Sequence, residues 1–388
     1  MNRTCFALFL LLTSAWLGAA SHPARAAQLV ALAPEEALYA DIFPNPPAVA
    51  AQPGGPYVIA WDDETFSIQD GSFSYRYTPA GEDPAGVDPG TNYHAISSPT
   101  GVPSVDAVTA GRQGFDVIWH TYAEKPTLFY QAHINLQGRR EGKVVGLGGA
   151  GTEWVWQVRG NGFMAGWSLP RKHGIAARRL TASGQRTGPE LRLNSRLVDS
   201  PAAVSVVGLA DASFVAVWLG TTPGSPATTV LRARRFSPSG KPLGPDFDVN
   251  TIPLGVLGPS SDFGPALKVA AAPGGGFVVA WALFQVQGYL RWFNASGTPL
   301  GTELESEFPE SMAFDDTGNL VLFDTTQVHL FDPQGKPLGP PVDVNDDDTE
   351  EPYGGGVTWT GDSWLVAWVA SIFPYDQGAI FVRRFVKR

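Results

Sequence analysis

The feature that most constrains this fold is a unit that recurs seven times along the chain. Its clearest copy is Gly274-Gly275-Gly276-Phe277-Val278-Val279-Ala280-Trp281, followed by Leu290-Arg291-Trp292-Phe293 and then Gly297-Thr298-Pro299-Leu300-Gly301. An apolar run closing on an aromatic recurs at Trp61, Trp119, Trp167, Trp218, Trp281, Phe323 and Trp368. A period of about 50 residues points to a propeller or a solenoid before other architectures.

Each unit reads as four short strands. The copy at Ala202 to Val207, Phe214 to Trp218, Val230 to Phe236 and Leu243 to Val249 shows them well. A large apolar residue ends the third strand and a glycine follows four positions later: Tyr77/Gly81, Ile134/Gly138, Leu180/Gly184, Phe236/Gly240, Phe293/Gly297 and Phe331/Gly335. Glycine at one fixed turn position is what a positive φ selects. The last unit lacks its fourth strand, because the chain ends at Arg388 soon after Phe385. The segment Leu38 to Asn45 matches Leu243 to Asn250 at Leu, Asp and Asn, so it is expected to complete that unit. Closure removes two exposed sheet edges. An open solenoid needs polar capping units at its ends, and none is seen. The expected fold is an all-β, seven-bladed propeller of four-stranded antiparallel blades, closed by an N-terminal strand. Other blade counts, a solenoid and a sandwich pair are the alternatives.

Composition agrees with short strands between turns: 44 glycines, 33 prolines and only 16% charged residues. The tryptophans are read as core, filling the gaps between twisted sheets. The recurring arginines of the third strands, among them Arg76, Arg179, Arg291 and Arg383, are read as solvated or inter-blade hydrogen-bonding groups rather than an anion site.

Residues 1–26 are expected to lie outside the fold. Arg3, an apolar run from Cys5 to Ala20 and the small-x-small pattern Ala24-Arg25-Ala26 together read as a secretory signal peptide, with an anchor helix as the alternative. The single cysteine, Cys5, would leave with it, which excludes a disulfide framework. So would Arg3 and Arg25, making the remaining chain more acidic than the full-length net charge of −10. That charge opposes nucleic acid and anionic membranes as partners. The expected localisation is export to the periplasm, the cell surface or the medium. The domain division is a signal at 1–26 and one propeller at 27–388, a monomer with no transmembrane segment after cleavage.

Alternating strand direction sorts the loops onto two faces. Connections between first and second strands, and between third and fourth, are short glycine turns. Those between second and third strands, and from one unit to the next, are long and irregular. Binding residues concentrate on long loops held by a rigid scaffold. The candidate ligand-binding residues there are Asp62, Asp63, Glu64, His120, Tyr122, Arg171, His173, Tyr353, Tyr375 and Asp376. Paired carboxylates would suit glycoside chemistry, but no sequence feature pairs them, so no catalytic residue is assigned.

Two motifs are set aside. Gly146 to Gly151 spells a dinucleotide fingerprint but is followed by the strand-like Trp154-Val155-Trp156 instead of a helix. Asp343 to Glu350 has oxygens at alternate positions but lacks the turn glycine and twelfth-position acid of a calcium loop. No metal site and no cofactor are expected.

The unit, with its Gly-Gly-Phe-Val-Val-Ala-Trp strand and Gly-x-Pro-Leu-Gly turn, resembles a repeat found in secreted and surface bacterial β-propeller proteins. Residues 214–250 and 274–301 carry the resemblance best. It implies a propeller and a bacterial exported protein, and no catalytic residue carries over. The function expected is a non-catalytic binding module for a protein or glycan ligand, using the long-loop face. A propeller hydrolase or lyase acting on polysaccharide and a structural envelope protein are the alternatives.

Overall fold

The computed structural model describes residues 27–42, 45–62, 71–82, 93–122, 127–149, 151–158, 162–254, 266–283, 287–346, 350–372 and 377–388. Residues 1–26, the expected signal peptide, lie outside them.

Seven antiparallel sheets stand around a common axis. In the fourth blade Pro201–Gly208 pairs with Phe214–Thr221, which pairs with Thr229–Phe236, which pairs with Phe247–Asp248. The first strand of each blade lies nearest the axis. These first strands are Ala48–Ala51, Val102–Gly111, Trp154–Val158, Pro201–Gly208, Ala266–Ala271, Ser311–Phe314 and Glu350–Trp359. Neighbouring first strands pack together around the ring, and those of blades 2 and 3 do so least.

The N-terminus closes the ring with two segments where one was expected. Glu36–Ile42 pairs with the last strand, Gln377–Lys387, in the register Glu36↔Val382 and Ile42↔Gly378. Leu29–Ala31 continues along the same edge, with Leu29 opposite Lys387. Arg383 locks the junction. Its Nε donates to Ala33 O at 2.8 Å, its Nη1 to Val344 O at 3.1 Å, and its Nη2 to both carboxylate oxygens of Asp346. Arg291 makes the corresponding inter-blade bond to Val249 O, so this part of the arginine expectation holds.

The second strands are buried on both faces, which is why they read as unbroken apolar runs. Phe214, Ala216 and Trp218 pack toward blade 3, while Val215, Val217 and Leu219 pack toward blade 5. Trp61, Trp119, Trp218, Trp281 and Trp368 are all buried at this register. Among the described residues the indole N–H groups of Trp218, Trp281 and Trp368 have no partner, so shape and apolar contact hold these rings.

Blade 6 departs from the expected register. Phe277 pairs with Phe293 and Leu320 with Phe331, so the residue matching Trp281 is Asp324, one past the aromatic Phe323. Phe323 is buried, but in the cluster between blades 6 and 7. Asp324 is buried and held by His329 Nε2 at 2.6 Å and by the amides of Thr326 and Gln327.

The six turn glycines all have positive φ, from 72° at Gly184 to 87° at Gly240. They also do something the sequence does not announce. A Cβ on Gly138 would lie 2.4 Å from the Tyr77 ring of blade 1, and one on Gly335 2.8 Å from the Trp292 ring of blade 5. Five of the six turns, at Gly138, Gly184, Gly240, Gly297 and Gly335, are thus seated on the preceding blade, while Gly81 has open space around it.

Candidate functional site

A central funnel with a volume of about 510 Å³ runs along the first strands. It reaches the long-loop face, because Asn45 to Pro47 and Glu310, which precede first strands, line it. Ser104 and Asp106 of blade 2, Ser205 of blade 4, Lys268 of blade 5 and Ser311 of blade 6 complete its polar lining.

Asp106 reaches this lumen through a β-bulge. Val105 pairs with Trp119 and Ala107 with Ile118, leaving Asp106 as the extra residue. A bulge re-aims one side chain without breaking the sheet. The Asp106 carboxylate lies 2.8 Å from Nδ1 of His120. About a third of the Asp106 side chain stays open to the funnel, but the surrounding strands remove enough solvent to raise its carboxyl above the ordinary range. The hydrogen bond to Asp106 raises the His120 imidazole, against the opposing effect of burial.

Asp62 lies beneath this pair and is almost wholly covered. It accepts the Val105 amide at 2.8 Å and Asn45 Nδ2 at 2.6 Å. Burial pushes its carboxyl up despite these bonds. Asp62 therefore braces the strand segment from which the bulge projects, and its charge supports a protonated His120.

Among the other sequence candidates, Arg171 lies in a one-turn 3₁₀ segment, Pro170–Lys172, on the long-loop face of blade 3. His173 follows with φ of 47°. Its Nδ1 is 2.8 Å from Asp199, and its carbonyl accepts the Val198 amide and Asn194 Nδ2. Tyr353 is exposed and stands in the first-strand irregularity of blade 7, between Pro352 and Gly355. Tyr122 ends the second strand of blade 2, where the backbone alone is described. Asp63, Glu64, Tyr375 and Asp376 lie outside the described residues. The structure thus joins Asp62 and His120 in one cluster and sets His173 against Asp199 elsewhere on the same face, with Arg171 two residues before it in the chain.

Sequence reading missed Asp106, Lys268 and Glu310. Each sits in or beside a strand where a polar residue looks like ordinary outward alternation. A bulge and a shared axis exist only once the ring is closed.

Gly146 and Leu147 end the outer strand of blade 2, and Trp154–Val158 is a strand, so the fingerprint is a connection between blades. Asp346 of the calcium-like run is engaged by Arg383. Among the described residues no cluster of His, Cys, Asp and Glu is placed to hold a metal ion, and no helix is long and apolar enough to cross a membrane.

No family model matches the chain, and no curated protein is similar to it. Among solved structures, a prolyl endopeptidase is similar at 13% identity and a TM-score of 0.46, over 89% of this chain and 47% of that one. The chain therefore spans about half the length of that enzyme. A protein of unknown function from Dyadobacter fermentans is similar at 11% identity and a TM-score of 0.42, covering 94% of this chain and 100% of that one. A gluconolactonase from Xanthomonas campestris is similar at 12% identity and a TM-score of 0.39, covering 90% and 89%. Likenesses this distant carry no activity over.

Proposed function

We propose that this protein is an exported bacterial binding module that takes a small polar ligand into its central funnel from the long-loop face. The observation that carries the reading is the charge left open in the lumen. Among the described residues, Lys268 and Glu310 line the funnel without an ion pair or side-chain hydrogen bond. A half-buried charge without a partner is costly unless something supplies one. Asp106 and His120 add a donor and acceptor pair, and Ser104, Ser205 and Ser311 add hydroxyls. This set suits a ligand bearing hydroxyl or charged groups and disfavours an apolar one.

The test is a calorimetric screen of the purified protein against monosaccharides, oligosaccharides, amino acids and short peptides, repeated with K268Q and D106N. Binding of a polar ligand that weakens about tenfold or more in either variant supports the reading. Binding that neither variant alters places recognition elsewhere and overturns it, as does the lack of any polar ligand.

A hydrolase is the second reading, and the raised Asp106 carboxyl beside His120 is what favours it. Carboxyls held above their ordinary range serve as general acids. Turnover of aryl glycosides or lactones that is lost in D106N would establish it. Binding without turnover would dismiss it.

A further inference from the structure

The seam between blades 2 and 3 is built from the same parts as two closed seams, yet it stands open. In blade 5, Arg291 lies two residues before Phe293, the partner of Phe277. It reaches across to Val249 O of blade 4 at 2.6 Å and lies 3.7 Å from Glu303, the residue before Leu304 on its own outer strand. In blade 7, Arg383 repeats this with Val344 O of blade 6 and with Glu35 at 3.7 Å. Blade 3 carries the same pair at the same register. Arg178 lies two residues before Leu180, the partner of Phe163, and Glu190 precedes Leu191, the partner of Ala177.

Here the clasp is not made. Among the described residues no ion pair joins Arg178 to Glu190, and Arg178 Nε is shielded from water without a partner. A slot with a volume of about 230 Å³ lies between them. Its wall is Trp167, which alone among the six tryptophans at this register is only half-buried. The far side is the glycine connection from blade 2, wrapped around Thr152, whose Oγ1 accepts the Gly149 amide at 3.1 Å. Arg186 reaches over Gly149 and lines the same slot.

We propose that this slot binds the acidic sugar unit of a glycan, a hexuronate. The flat indole of Trp167 offers a platform for the C–H face of a pyranose. Arg178 and Arg186 offer the fork that grips a carboxylate. Glu190 accepts hydroxyl protons, and the Thr152 hydroxyl, its oxygen already accepting from Gly149, is free to donate. The volume is below that of a drug-sized pocket and suits one ring. An aryl acid would use the indole and the arginines but leave Glu190 without a role. A neutral sugar would leave the shielded Nε of Arg178 unmet.

The proposal is independent of the funnel. Calorimetry with methyl glucuronide and methyl galacturonide, against methyl glucoside and benzoate, tests it. One or both uronides should bind at about 1 mM or tighter, while the neutral glycoside and benzoate bind at least tenfold more weakly, the worth of about one charge-assisted contact. R178Q and W167L should each weaken the uronide by about tenfold or more, R178K by less, and the funnel variant K268Q not at all. Indole N–H NMR should show one tryptophan resonance, missing in W167L, shifting with uronide. No uronide binding, equal binding of the neutral glycoside, tighter binding of benzoate, or uronide binding that survives R178Q in a folded variant each overturns the proposal.

Discussion

The seam between blades 4 and 5 and the seam between blades 2 and 3 carry the same residue types at one register. Trp281, Arg291 and Glu303 stand against Trp167, Arg178 and Glu190. In the first seam the indole is buried and the arginine bridges two blades. In the second the indole is half-buried and, among the described residues, the Arg178 Nε is without a partner beside a slot. The difference comes from the neighbouring blade. Leu219, Leu231 and Val249 fill the space beside Trp281, whereas a glycine connection runs past Trp167. A repeat can thus present the same side chains as scaffold in one place and as an open site in another, and the residues that decide between them belong to the part that does not repeat.

Tryptophan truncation should separate the two seams most widely. Trp281→Ala removes a fully buried ring and is expected to cost about 3–5 kcal/mol of unfolding free energy, while Trp167→Ala should cost about 1 kcal/mol. Chemical denaturation monitored by circular dichroism reads both. Equal losses would mean that the second seam is packed like the first.

The turn glycines give a smaller effect of the same kind. Gly138→Ala must displace the Tyr77 ring and also tolerate φ of 74°, so about 2–3 kcal/mol is expected. Gly142 has φ of 77° but open space around it, so its alanine variant should cost about 1 kcal/mol. If the two variants lose the same stability, seating on the preceding blade contributes nothing.

The smallest effect concerns pH at the funnel. His120 is raised by Asp106, so its contribution is present below the ordinary imidazole value and is lost as pH rises through its elevated folded value. Asp106, raised by loss of solvent, acts oppositely, costing stability above the ordinary carboxylate range. The net change across the His120 titration should be under about 1 kcal/mol. Imidazole NMR should place the His120 midpoint above about 6.5 in the parent protein and lower in D106N. A midpoint unchanged by D106N would break the link between the bulge and the histidine.

Much of the architecture was legible in sequence because it repeats. Glycine at six equivalent turns and tryptophan at six equivalent strand positions report local φ and inter-sheet volume, which a one-dimensional pattern can carry. The ring-closing strand was legible in kind and largely in place: Glu36–Ile42 overlaps the expected segment, and only the second pairing, through Leu29–Ala31, lies upstream of it. Blade 6 misled because Phe323 is aromatic and adjacent to the true position, Asp324, whose partner His329 is invisible without pairing. The funnel was the least legible part. Asp106, Lys268 and Glu310 come from different blades and meet only around the axis, and Asp106 gets there through a bulge with no sequence mark. His120 and Asp62 were found for their loop-face position, and Asp62 proved to be support beneath the cluster.

The most direct test of the two-seam account is a pair of double-mutant cycles, Arg178/Glu190 and Arg291/Glu303, each measured by chemical denaturation without ligand. The account predicts a coupling of about 1–3 kcal/mol for Arg291 with Glu303 and close to zero for Arg178 with Glu190. Equal coupling in both cycles would show that the second clasp is closed in solution, and the open seam would then not exist.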